Sequence, residues 1–134
     1  MKRIINKDIL AELIKAAEAA MPNEACGLLT GEGSEITKFY EMTNADASPE
    51  HFTMLPKEQF AAVKDMRKQG TEILAIWHSH PETPPRMSEE DIKLAYAPGA
   101  VHIILSLADS SKHETKGYQV NYGIPEQIEI IIEG

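Results

Sequence analysis

The chain contains a single cysteine, Cys26. That excludes an intrachain disulfide, and a reducing cytoplasmic compartment fits such cysteine usage best. No apolar run approaches membrane-spanning length, and residues Met1 to Asp8 hold nothing like the apolar stretch of a secretory leader. Lysine and arginine form no cluster, and 13 of them stand against 21 aspartates and glutamates, for a net charge of -8. Neither nucleic acid nor an anionic membrane surface is therefore expected as a partner. Internal repeats, low-complexity tracts and linkers are missing as well. Residues 1–134 are expected to form one domain, long enough for a hydrophobic core that needs no crosslinks.

Periodicity supplies the elements. Asp8 to Ala20 puts Ile9, Leu10, Leu13, Ile14 and Ala17 on one helical stripe, with Asn6 as N-cap and Pro22 beyond the end. Ala25 to Thr30, Ile36 to Thr43 and His51 to Leu55 read as strands. Pro56 opens a second helix with Phe60, Val63 and Met66 on one face, and Gly70 suits its end. Glu72 to His78 is a strand apolar on both faces: Leu74 and Ile76 share the side of His78 and His80, and Ile73, Ala75 and Trp77 lie opposite. Such a strand belongs in the middle of a sheet covered on both sides. Ser88 to Tyr96 reads as a third helix, and Val101 to Leu107, Tyr118 to Tyr122 and Gln127 to Ile132 as strands. The expected class is α/β or α+β, a sheet with helices packed on it. Strand order is not readable at this level.

The chemistry concentrates in His78-Ser79-His80-Pro81 and Ser88-Glu89-Glu90-Asp91. In a strand, residues i and i+2 point to one face, about 6–7 Å apart at Cα, so two imidazoles can converge on one ion. Asp91 supplies a third ligand if the proline-containing loop folds its helix back to the strand end. Three His/carboxylate ligands leave a fourth position for water, the arrangement of catalytic zinc. Taken singly, each part has a plainer reading. A His-x-His is commonly a pair of ordinary strand-end histidines, and Ser88-x-x-Asp91 is also a helix capping box. His102 reads as a satisfied core or edge residue, and His51 and His113 as loop or surface residues. A metal-activated water also needs a base, and Glu24 is the candidate; alone, it would pass for a solvated glutamate after a helix.

Together, Glu24-x-Cys26-Gly27-x-Leu29-x-Gly31, Trp77-His78-Ser79-His80-Pro81 and Ser88-x-x-Asp91 resemble the JAMM (MPN or JAB) metalloprotease family. Seven residues separate His80 from Ser88, which is the family spacing, and the likeness covers essentially the whole chain. The resemblance implies a JAMM/MPN fold, a three-layer arrangement similar to cytidine deaminases, with a central mixed sheet and flanking helices. It implies that His78, His80 and Asp91 bind one Zn2+ per chain, with water as fourth ligand. Glu24 would be the general acid/base, and Ser88 would stabilise the oxyanion. Deaminase chemistry itself is excluded, because His-x-Glu and Cys-x-x-Cys are absent.

Two departures from the family pattern stand out. Met87 occupies a position where many short bacterial relatives carry proline. The chain also has no room for the long insertions of the eukaryotic deubiquitinating members. The short form is similar to prokaryotic members that act on ubiquitin-like sulfur-carrier proteins, cleaving after a C-terminal Gly-Gly. The expected function is a zinc-dependent peptidase or isopeptidase of that kind. The alternatives are a catalytically silent MPN-type binding scaffold and a zinc peptidase for an unrelated peptide. Cys26 is read as a small buried residue, with a thiolate near the metal's open position as the other possibility. Gly27, Gly31 and Gly33 are assigned to turns or close packing.

Overall fold

Asn6 starts the first helix as its sequence requires: its side chain accepts the Ile9 N–H at 2.8 Å. In this computed structural model, which describes residues 1–95 and 97–134, strand β1 (Lys2–Asn6) runs straight into helix α1 (Lys7–Ala20). Strands β2 (Cys26–Glu32) and β3 (Glu35–Met42) form a hairpin, and helix α2 (Pro56–Gln69) follows a loop. Strand β4 (Glu72–His80) and the short helix α3 (Glu89–Leu94) carry the histidine and serine motifs. Strands β5 (Ala100–Ser106), β6 (Thr115–Asn121) and β7 (Ile124–Glu133) complete the chain.

The sheet order is β1-β3-β2-β4-β5-β6-β7, and β7 returns to pair with β1 in parallel, closing the sheet on itself. Pairing is mixed: β4–β5 is parallel, and β4–β2 and β5–β6 are antiparallel. Helices flank the sheet. One face, with Leu29, Ala75, Trp77, Ile103 and Leu105, packs on Ile9, Leu13, Ala16 and Ala17 of α1. The other face builds a smaller cluster of Cys26, Leu28, Met42 and Met54 with Ala62 of α2. No helix among the described residues is long and apolar enough to cross a membrane.

Several sequence expectations shift. β1 was not foreseen, because only Ile4 and Ile5 mark it; its partner β7, at the far end of the chain, makes it a strand. His51 to Leu55 is a loop with a single bridge, Asn44 to Met54. Phe60 is 74% exposed, because the buried stripe of α2 is Ala62 and Met66. Two residues turn a helix by about 200°, which carries Phe60 to the opposite side. Leu74 joins Ala75 and Trp77 in the main core, since an irregularity where β2 meets β4 opposes Leu29 to Ala75 and Thr30 to Ile73. That extra residue resets the alternation and leaves Ile73 exposed. Tyr96, expected to end the third helix, lies outside the described residues.

Candidate metal centre

β4 extends through His80 before Pro81 stops it, and it lies between β2 and β5. His78 and His80 leave the same face of β4 with their rings 5.0 Å apart and their Nε2 atoms 3.2 Å apart. The loop after Pro81 is pinned to neighbouring strands: Ser106 Oγ donates to the Thr83 carbonyl at 2.6 Å, and Tyr118 OH to that of Pro85 at 2.8 Å. This fastening brings α3 back against the end of β4. Ser88 caps α3 through a capping box. Its Oγ accepts the Asp91 N–H and its own N–H donates to Asp91 Oδ2, both at 3.0 Å. Asp91 so held sets Oδ2 3.1 Å from His80 Nε2 and Oδ1 3.3 Å from His78 Nε2.

Glu24 reaches the cluster from the residues before β2. One carboxylate oxygen and the ring nitrogens of His78 and His80 lie within 4.8 Å of one another. Four of the five residues singled out in the sequence thus converge in a buried cluster, and Ser88 stands beside it at the helix cap. His51 pairs instead with Asp46 at the surface, Nδ1 to Oδ2 2.9 Å. Cys26 faces His78 across the β2–β4 ladder, but burial and the nearby Glu24 push its thiol up to about 12. It is a neutral side chain of the smaller apolar cluster.

The two carboxyl groups sit in opposite electrostatic conditions. Burial alone would raise Asp91, but hydrogen bonds from His78, His80 and the Ser88 N–H prevail and hold it well below the usual carboxylate range. Burial dominates for Glu24 and lifts it to about 8, against the opposing charge of His80, while among the described residues the buried Glu24 Oε1 has no hydrogen-bond partner. Burial lowers His78. For His80 burial is outweighed by Asp91 and the Pro84 carbonyl, which raise it. His80 Nδ1–H donates to Pro84 O at 2.8 Å, which fixes the ring with Nε2 toward Asp91 and His78, where a bound metal ion would take the place of the Nε2 proton.

The donor set fits zinc. Ligands bound at 2.0–2.1 Å in a tetrahedron stand about 3.3 Å apart. The Nε2 atoms of His78 and His80 stand 3.2 Å apart, and Asp91 turns one oxygen to each, Oδ1 at 3.3 Å from His78 and Oδ2 at 3.1 Å from His80. Next to the cluster lies a cleft of about 340 Å³ whose walls include Leu28, Phe52, Met54, Ile76 and His102 as well as His78 and Asp91. Phe52 lies against His78 with ring centroids 4.9 Å apart.

Sequence reading did not single out Asn44, Ser79 or Phe52 for the site, and it gave His102 a satisfied role. Among the described residues the Nε2 of His102 is buried and unpartnered. Ser79 alone left a signal: between two histidines on a strand it must face the core, where a hydroxyl needs a partner. It finds the Ala25 N–H at 2.8 Å.

A family model described as prokaryotic homologs of the JAB domain matches residues 6–118. The CysO-cysteine peptidase of Mycobacterium tuberculosis is 33% identical over 119 residues, which is 87% of this chain and 82% of the peptidase. The desampylase of Haloferax volcanii is 30% identical over 101 residues, 73% of each chain. The solution structure of a protein from Desulfitobacterium hafniense is similar with a TM-score of 0.90 at 42% identity, covering 99% of this chain and 93% of that one. The chain belongs to the prokaryotic JAB-domain family, the JAMM type that its Glu24, His-x-His and Ser-x-x-Asp elements resemble.

Proposed function

We propose that the chain, as one domain of residues 1–134, is a zinc-dependent peptidase or isopeptidase that releases an amine from the C-terminal Gly-Gly of a ubiquitin-like sulfur carrier. His78, His80 and Asp91 would hold one zinc ion, with water as its fourth ligand. The observation that carries this reading is the meeting of a buried Glu24 carboxyl, its Oε1 without a hydrogen-bond partner among the described residues, with two histidines that already share an ionised Asp91. Zinc bound there supplies a Lewis acid for the scissile carbonyl and lowers the pKa of a coordinated water toward about 7.

The protein's own groups do the rest. Glu24 takes a proton from the attacking water as it adds to the carbonyl carbon, and delivers that proton to the amine as the C–N bond breaks. The Ser88 hydroxyl accepts from Asp91 N–H and keeps its own proton to donate to the carbonyl oxygen as charge builds there. Buried Asp91 and the Pro84 carbonyl keep His80 in one orientation throughout. The apolar cleft beside His78 and Asp91 suits an extended tail.

The names of the two relatives, a CysO-cysteine peptidase and a desampylase, support a carrier adduct as substrate, and a cytoplasmic site of action goes with it. The test is hydrolysis of a small carrier protein whose terminal Gly-Gly is joined to a dye-labelled amine. Zinc-loaded protein should release the dye, chelation should stop release, and added zinc should restore it. A zinc-loaded protein that leaves the conjugate intact overturns the reading.

A further inference from the structure

We propose that Asn44 is a positioning residue for Glu24, acting through its backbone and not on the reacting atoms. The proposal rests on the reading of Glu24 as acid/base. Among the described residues nothing hydrogen-bonds Glu24 Oε1, so the carboxyl is aimed by the main chain it hangs from. That main chain is clamped from two sides. The histidine strand provides one clamp: Ala25 N–H donates to Ser79 Oγ at 2.8 Å and Ser79 N–H to Ala25 O at 3.0 Å. The segment after β3 provides the other: Glu24 N–H donates to Ser48 O at 2.8 Å, and Asn44 Nδ2 donates to Glu24 O at 3.1 Å.

Asn44 ties more than one chain crossing. The same amide nitrogen reaches His51 O at 3.1 Å, and Oδ1 accepts the N–H groups of Asp46 at 3.1 Å and Thr53 at 3.3 Å. Two donors and two acceptors are all used, which among the side chains of similar size only an amide can do. Asn44 therefore knots both ends of the 44–54 loop onto Glu24, and that loop also lays Phe52 against His78. Acid/base group and histidine neighbour are spaced by one side chain. A displacement of about 1 Å at such a site can cost roughly 10²-fold in rate.

The experiment measures kcat, KM and zinc content for Asn44→Ala and Asn44→Asp, each in the wild-type and the Glu24→Gln background. Asn44→Asp keeps the shape and the contacts to Asp46 and Thr53, but replaces the two donors by a charged oxygen facing the Glu24 and His51 carbonyls, so it breaks the clamp and serves if the alanine variant fails to fold. The expected result is a fall in kcat of roughly 10- to 100-fold with KM and zinc content little changed. In Glu24→Gln the same change should cost nothing further, because the group it aims is already disabled. Equal losses in both backgrounds, or an Asn44→Asp enzyme as fast as wild type, overturn the positioning role alone. An inert zinc-loaded wild type overturns the hydrolase reading and the positioning role with it.

Discussion

Asp91 and Glu24 show how surroundings divide two similar side chains. Asp91 receives three hydrogen-bond donors and stays ionised, whereas Glu24 receives none at Oε1 and is pushed toward its neutral form. The signature residues were legible because covalent spacing carries them: Ser88 and Asp91 share one helix turn, and His78 and His80 one strand face. Asn44 and His102 were not legible, since their roles arise where distant segments meet. His102 yields a prediction at this scale. Burial lowers it from its ordinary value of 6.5 to about 4. In that window the unfolded chain binds a proton that the fold refuses, so stability falls as pH drops from 6.5 toward 4. Metal-free wild type should lose on the order of 3 kcal/mol more than His102→Gln across it, by urea unfolding at several pH values. Parallel losses in the two proteins would remove His102 from the account.

Among the elements, helices were read best because their ends are written in local residues. Asn6, Pro56, Gly70 and Ser88 all sit where capping chemistry puts them, and Gly70 takes φ 71°. Strands depend on partners: β1 was missed, and the His51–Leu55 segment lacked a strand to pair with beyond one bridge. The glycines of β2 show the same dependence. A Cβ on Gly27 would meet the Phe39 ring and the Tyr40 carbonyl, and Phe39 itself stands edge-on to Trp77 at 5.2 Å. Gly27→Ala should therefore cost about 2–3 kcal/mol, read as a lower denaturant midpoint with an unchanged slope. An unaltered midpoint would mean that the β2–β3 ladder relaxes more readily than its packing implies.

At the level of the whole molecule, the curled sheet sets β2 and β5 on either side of β4 and a helix layer on each face, so the histidine strand is the central one. The mixed sheet with flanking helices was legible through the family resemblance. Strand order and the parallel closure of β7 on β1 were not, because they join residues at opposite ends of the chain and no local pattern encodes them. The fold's consequence is a buried cluster of four donor groups, of which the proposed function would give three to the metal and one to the proton. Zinc content of purified, folded Glu24→Gln tests that division most directly. About one zinc per chain is expected, as in wild type, since His78, His80 and Asp91 remain. A Glu24→Gln protein that has lost its zinc would contradict it and make Glu24 a ligand.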